Sequence, residues 1–581
     1  MRIVTTRRMS QTFFFALFLW FCIVATVGEE FRQIRGWPVN WFLQLDPLAA
    51  IGTILTEHSL YYPLLWAAAT LILTIIFGRF FCSWVCPFGS LHNFVSWLGN
   101  RRKPTAQKIE LNKYRKAQRI KYFVLVFFLA MAAFPSIAAT LQTGLLDPIP
   151  FVTRSFNLVL LPIFDKPANI ASASDRFYEG AWLIFAIFLT AILLNLVIPR
   201  FYCRFVCPLG ALFGVIGRFA VWRIGKNQSE CINCRMCEKS CEGGCEPTQN
   251  IKISECVLCF NCRQDCKHGV ISYQMRPSLA GEVTDPDISR RGFALSVAGG
   301  ILAVPAIRLT GTLGDNWYHK VIRPPGALPE EQFLKRCIKC GQCMRICPTN
   351  VIQPGSFAGG LENLWTPVLN NRIGSSGCQL NCVACGQICP TAAIRPITLA
   401  EKLGRDEFEK AGPIKIGTAF VDRNRCLPWA MGKPCIVCEE NCPVSPKAIY
   451  TQEYFDIIRD GAMIVESAGA SRITFVEKDL LPGELATGDY YCLIEGGQRL
   501  KVVANTEGSV EVSSGDKPMK EPAAGSRIEI QIRLQRPYVD IEKCIGCGVC
   551  EHECPVSGKK AIRVSAEGET RSSKRRLLLD S

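Results

Sequence analysis

Histidine is scarce in this chain: five in 581 residues, at His58, His92, His268, His319 and His552. No two of them pair within an apolar stretch, so a bis-histidine haem finds no ligands, and no Cys-x-x-Cys-His is present to attach haem covalently. No Gly-x-Gly-x-x-Gly opens a βαβ unit, which leaves bound NAD or FAD without a phosphate cradle. No flavin, triad or molybdenum-scale domain is evident either. Acidic residues are the minority charge, 50 against 66 Lys and Arg, for a net +16. The basic excess sits beside apolar segments, where membrane topology explains it better than nucleic acid does.

Cysteine is abundant: 31 residues, an odd number at repeating spacings, which argues against a disulfide framework. The recurring pattern is Cys-x2-Cys-x2-Cys-x3-Cys, usually followed by proline. Three closely spaced thiolates wrap one [4Fe–4S] cube, and the displaced fourth ligates a neighbouring cube when two motifs pair. Soft sulfur ligands suit iron in a sulfide cage. Cys231, Cys234, Cys237 and Cys241 have this spacing, as do Cys256, Cys259, Cys262 and Cys266. If these two pair, Cys266 completes the first cluster and Cys241 the second, with Cys245 able to replace Cys241. Two further sets fit without deviation: Cys337, Cys340, Cys343 and Cys347; Cys544, Cys547, Cys550 and Cys554. Cys378, Cys382, Cys385 and Cys389 have one extra residue in the first gap, and Cys426, Cys435, Cys438 and Cys442 a longer first gap. About six [4Fe–4S] clusters are expected, their cysteines serving as the iron ligands. Four-cysteine zinc sites are the structural alternative, but they do not predict a displaced fourth cysteine six times over.

Apolar stretches at Phe13–Gly28, Tyr61–Phe77, Tyr122–Ala139 and Ala181–Ile198 are of the length that just spans a bilayer. Lys and Arg crowd the N-terminus, the loop from Arg101 to Lys121, and the segment from Arg200 to Lys226, which assigns these parts to the cytoplasm. The region is an internal repeat. Cys82-Ser83-Trp84-Val85-Cys86-Pro87 matches Cys203-Arg204-Phe205-Val206-Cys207-Pro208, and Leu45-Asp46-Pro47 matches Leu146-Asp147-Pro148. Cys82, Cys86, Cys203 and Cys207 are the candidate catalytic thiols. They are open to three roles: a redox dithiol, a metal or cluster site using all four thiolates, or a structural turn. Cys22 and Cys492 read as packing residues.

The expected fold is an α-helical membrane bundle, four spans plus a fifth, with α+β ferredoxin-like [4Fe–4S] domains on both sides. Residues 1–226 form the membrane domain and 227–280 a cytoplasmic two-cluster unit that needs metal to fold. Residues 281–310 hold Arg290-Arg291 before an apolar run. This is a Tat-like export signal, a fifth span, or a surface helix. Residues 311–459 carry three motifs in a periplasmic ferredoxin domain, 460–535 alternate as a β-rich insertion, and 536–581 hold the last motif and tail.

The first 280 residues resemble the NapH-type membrane ferredoxins, in their spans, Cys82-x3-Cys86-Pro87, Cys203-x3-Cys207-Pro208 and two-cluster unit. The remainder resembles the NapG/MauM-type exported ferredoxins, in Arg290-Arg291, Ile322-Arg323-Pro324-Pro325-Gly326-Ala327-Leu328-Pro329 and four motifs. This double resemblance implies a fusion of a quinol dehydrogenase subunit with a polyferredoxin. Such a chain is multi-pass in the bacterial inner (cytoplasmic) membrane, with its C-terminal half periplasmic. It oxidises quinol from the membrane lipid's quinone pool and relays electrons to a periplasmic reductase or cytochrome partner. A redox maturation factor for a periplasmic metalloenzyme is the alternative, and a redox sensor a third reading. Lys267 after Cys266, the surplus Cys245 and the β insertion depart from these families.

Overall fold

The computed structural model describes residues 3–25, 38–59, 61–133, 140–168, 176–226, 231–312, 321–357, 360–513 and 519–572. The chain forms two compact units: residues 1–375, 381–416 and 570–581, and residues 376–380 with 417–569.

In the first unit the repeat is built from proline-started helices. Asp46 caps helix Pro47–Glu57, its carboxylate accepting from the Leu48 and Ala49 N–H groups, and Asp147 precedes helix Pro148–Ser155. Cys86 and Cys207 cap helices Pro87–Asn100 and Pro208–Gly217 in the same way, with sulfur as the acceptor. The third residue of each is glycine for a steric reason: a Cβ on Gly89 would strike the Cys82 carbonyl oxygen, and one on Gly210 would crowd Cys207 Sγ and Arg79.

Five bilayer-length helices are not what forms. Among the described residues only Ile3–Val24 and Arg290–Leu309 are long and apolar enough to cross a membrane. Pro63 opens a 3₁₀ turn at Tyr62–Leu65, leaving Trp66–Phe77 with 12 helical residues. Ala181–Val197 has 17, Ile120–Ala133 has 14, and residues 26–28 and 134–139 of the expected spans lie outside the described residues. The Ala181–Val197 helix turns Asn195 inward, while Trp182, Leu193 and Val197 face outward. Helix Trp66–Phe77 likewise buries Thr70 and Thr74 and exposes Ile72, Ile75 and Phe77.

Helix Arg290–Thr312 lies along Ile120–Ala133 in the same direction, Gly292 against Phe123 and Gly300 against Phe127 and Ala130. Its 23 residues extend about 35 Å. Tyr114 bonds Asp287 just before its start, and Arg308 pairs with Glu362 near its end. Cysteine-rich segments sit at both ends: residues 231–283 beyond the start, residues 321–397 beyond the finish.

The second unit joins two cysteine motifs with a closed six-stranded barrel inserted between them. Its strands run in the order Tyr490–Leu493, Arg499–Asn505, Ser509–Ser513, Arg472–Phe475, Ile449–Ala468, Arg527–Val539 and back to Tyr490–Leu493. The period-two alternation fills the barrel with Ile473, Phe475, Val502, Val510, Ile528 and Ile530, and Cys492 packs fully buried among them. The long antiparallel pairing of Ile449–Ala468 with Arg527–Val539 returns the chain to the first motif's side, so motifs a hundred residues apart share one core.

Candidate iron–sulfur sites

Four of the six motifs wrap their loops in one way. The residues just before and just after the second cysteine are left-handed: Asn233 and Arg235, Leu258 and Phe260, Lys339 and Gly341, Gly546 and Gly548. Only glycine adopts this conformation freely, and each other residue costs of order 1 kcal/mol, so the sites hold the loops against local preference. The wrap turns N–H groups toward sulfur, as from Asn233 to Cys231 (3.4 Å), from Lys339 to Cys337, and from Val549 to Cys547. The third cysteine then enters a short helix: Met236–Lys239, Asn261–Asp265, Gln342–Ile346 or Val549–Glu553. The irregular motifs lack the left-handed pair among the described residues.

The displaced cysteines cross over between motifs. In the second unit one enclosed cavity is lined by Cys544, Cys547, Cys550 and Cys442, another by Cys426, Cys435, Cys438 and Cys554. In the first unit, Cys337, Cys340 and Cys343 share a cavity with Cys389. Cys347, Cys382 and Cys385 remain in that unit, whereas Cys378 belongs to the second, where its N–H donates to the Cys547 carbonyl (2.7 Å). At the opposite end of helix Arg290–Thr312, Cys262 lies within electrostatic reach of Cys256, Cys259 and Cys241, and Cys237 within reach of Cys266. Cys245 Sγ is 3.3 Å from Cys241 Sγ and bonds Cys256 as well, a fifth thiol against one site.

The thiol chemistry fits a cationic iron core. Burial pushes Cys337 and Cys426 up to about 11 and Cys438 and Cys547 up to about 12, so these groups become thiolates only where a bound cation compensates. The half-buried Cys231 is lowered by the Asn233 N–H. No three His, Cys, Asp or Glu side chains among the described residues converge on a single metal ion.

Comparison with known families bears on the cofactor. A 4Fe-4S binding domain model matches residues 60–105 and 180–227, and a second 4Fe-4S binding domain model matches residues 333–353 and 537–557. The latter two segments contain the regular motifs at Cys337–Cys347 and Cys544–Cys554. The chain is an iron–sulfur electron-transfer protein. It is 26% identical over 304 residues to YccM of Escherichia coli, named for electron transport, covering 52% of this chain and 77% of YccM. It is 28% identical over 249 residues to the ferredoxin-type protein NapH of Escherichia coli (41% of this chain, 75% of NapH). An uncharacterized protein of Methanocaldococcus jannaschii is 28% identical over 274 residues, 47% of this chain and 87% of that protein. No solved structure matches.

The Cys82, Cys86, Cys203 and Cys207 thiols, drawn from both halves of the repeat, come together. Cys86 is within electrostatic reach of Cys82 and Cys203, and Cys207 of Cys203, Cys82 and Cys86. Sequence reasoning missed the charges that surround them. Arg200 donates to the Cys82 carbonyl (3.3 Å) and pairs with Glu242 (2.8 Å), which also holds Arg7 (2.7 Å). Arg79 donates to the Ser254 carbonyl (2.5 Å), and Lys121 pairs with Glu255, to which Tyr122 donates (2.8 Å). Glu242 follows Cys241 and Glu255 precedes Cys256. Their adjacency to cysteine was the available signal, but charge beside a ligand usually means solvent exposure. Asp46 and Asp147 are a second buried pair, close enough to act on each other electrostatically, and burial raises both carboxyls.

Proposed function

We propose that this chain is a quinol-oxidising relay of the inner membrane, carrying electrons through about six [4Fe–4S] clusters to a soluble reductase or cytochrome outside the cytoplasm. Cys231, Cys234, Cys237 and Cys266 hold one cluster, and Cys256, Cys259, Cys262 and Cys241 the next. Cys337, Cys340, Cys343 and Cys389 hold a third, with Cys347, Cys382 and Cys385 supplying ligands to a fourth. The second unit holds two by the same exchange.

The observation that carries the quinol reading is a cavity of about 880 Å³ between helix Ile3–Val24, helix Pro87–Asn100 and the 231–283 segment. Phe15, Leu91, Phe94 and Trp97 give it an apolar wall, and Gln11, Asn93 and Asn100 supply polar groups. Asn261 and Gln264, on either side of Cys262, line it as well, which brings a bound ring close to a cluster loop. Outward-facing apolar side chains over inward-facing Thr70, Thr74 and Asn195 support membrane insertion, since lipid rather than water rewards that inversion. Adding a reduced quinol analogue to the oxidised, anaerobically purified chain is expected to bleach its broad cluster absorbance. Absorbance unchanged by quinol but bleached by dithionite refutes quinol as donor.

A further inference from the structure

Within the first unit the cysteine motifs fall into two groups, one toward each end of helix Arg290–Thr312, whose 23 residues extend about 35 Å. Electron tunnelling falls off exponentially with distance, so a direct jump over that length is ineffective. The Cys-x-x-x-Cys-Pro thiols belong to none of the six motifs.

We propose that Cys82, Cys86, Cys203 and Cys207 together hold one further iron–sulfur cluster, and that it relays electrons between the Cys241/Cys256/Cys259/Cys262 site and the Cys337/Cys340/Cys343/Cys389 site. Each match to the 4Fe-4S binding model in this region, residues 60–105 and 180–227, contains only two cysteines. Neither half completes a cluster, but the fold joins the halves, Phe81 packing on Phe213 at 5.5 Å and Phe88 on Tyr202 at 5.1 Å. Gly89 and Gly210 N–H groups donate to Cys86 and Cys207 Sγ (3.4 and 3.1 Å), repeating the N–H to sulfur bonds of the ferredoxin loops.

Charge gives an independent reason. Arg7, Arg79, Lys121 and Arg200 are all buried around this site, and among the described residues Glu242 and Glu255 are the carboxylates paired with them. Two surplus buried cations are costly unless an anion accompanies them. An oxidised iron–sulfur cluster with four thiolate ligands is a dianion and supplies that balance.

Contacts lead outward from the site in both directions. Toward the 231–283 segment, Trp84 Nε1 donates to the Leu258 carbonyl (3.1 Å), one residue from Cys259, and Arg200 reaches Glu242 beside Cys241. On the other side Tyr202, next to Cys203, stacks on Phe151 at 5.8 Å, and Arg154 lies over Phe151 and donates to the Lys339 carbonyl (2.9 Å), inside the Cys337–Cys343 loop. Each transfer moves one electron: a ferrous iron in the donor cluster is oxidised as a ferric iron in the next is reduced, with no bond made or broken.

The inference rests on the proposed traffic between the two cluster groups, not on quinol being the donor. The full chain, purified anaerobically in lipid nanodiscs, is expected to contain about 28 iron atoms, seven cubes, rather than about 24. Replacing all four thiols (C82S/C86S/C203S/C207S) is expected to remove one cluster's iron and one reducible paramagnetic centre while the other six persist. Electrons loaded at the 231–266 clusters then no longer reach the outer ones in freeze-quenched samples. Should that variant misfold, Mössbauer integration of the native chain decides alone: six clusters, or zinc in the seventh position, overturns the proposal. Seven clusters with no quinol bleaching sinks the quinol reading and leaves this one standing; six clusters with bleaching does the reverse.

Discussion

Glu255→Gln is the most informative single change, because it removes a charge and almost no volume. The Glu255 carboxylate takes hydrogen bonds from Lys121, Tyr122 and Gln118, and its side chain and that of Lys121 are 3% and 1% exposed. Glutamine retains the shape and one acceptor but leaves Lys121 and Arg79 buried without a carboxylate. Breaking a buried pair from one side costs roughly 3–5 kcal/mol, a large part of the about 5–15 kcal/mol that holds a domain together. The loss falls where the 231–283 segment docks, so hydrogen exchange there should rise by about two to four orders of magnitude, while the second unit is unaffected. Adding Lys121→Met to Glu255→Gln should recover much of the loss, because it deletes the orphaned charge. Burial pushes the Glu255 carboxyl up, but Lys121 and Arg79 outweigh it and hold it below the ordinary carboxylate range. A lowered carboxyl contributes stability that is present above its unfolded value and is lost as pH falls through the folded one. Native docking should therefore weaken below pH about 4, and the variant should lack that acid transition. A destabilisation under about 1 kcal/mol, or no rescue by Lys121→Met, refutes the reasoning.

Three further outcomes follow from the geometry. A Cβ on Gly144 collides with the Ile338 carbonyl oxygen, so Gly144→Ala should cost about 1–3 kcal/mol by overpacking and loosen the Cys337 loop, read as faster cluster loss on heating; an unchanged half-life contradicts it. Because the displaced cysteines are exchanged, Cys554→Ala should abolish the same paramagnetic signal as Cys426→Ala, and Cys442→Ala the same one as Cys547→Ala; the reverse grouping excludes the exchange. Asp46 and Asp147 both have raised carboxyls, through burial and, for Asp147, through Asp46, so the native state keeps protons the unfolded chain releases. Stability should fall as pH rises from about 4 through those raised values, and Asp147→Asn should flatten the slope and raise the melting temperature at neutral pH; an unaltered slope counts against the raised carboxyls.

The candidate cluster ligands were legible because cysteine spacing is a local quantity: a loop that wraps a cube needs thiols a few residues apart, and Cys337–Cys347 has that spacing without any fold. The left-handed positions were partly legible, since Gly341, Gly546, Gly548 and Asn233 are residues that tolerate them, while Leu258 and Phe260 gave no such signal. Helix lengths were read less well. Hydropathy marks where a segment is apolar, not where Pro63 breaks it, so stretches that look like simple spans form shorter helices.

Spacing, repeats and alternation thus determined by themselves that sulfur holds iron here, that the apolar part is two related halves, and that a β element interrupts the last pair of motifs. Only the tertiary structure decided which fourth cysteine lines which cavity, because Cys389, Cys442 and Cys554 reach their partners through chain reversal and not through proximity in sequence. It alone also gathered Cys82, Cys86, Cys203 and Cys207 among Arg7, Arg79, Lys121 and Arg200. The physical reason is the same in both cases: a charge or a ligand acts through space, and folding sets the distances.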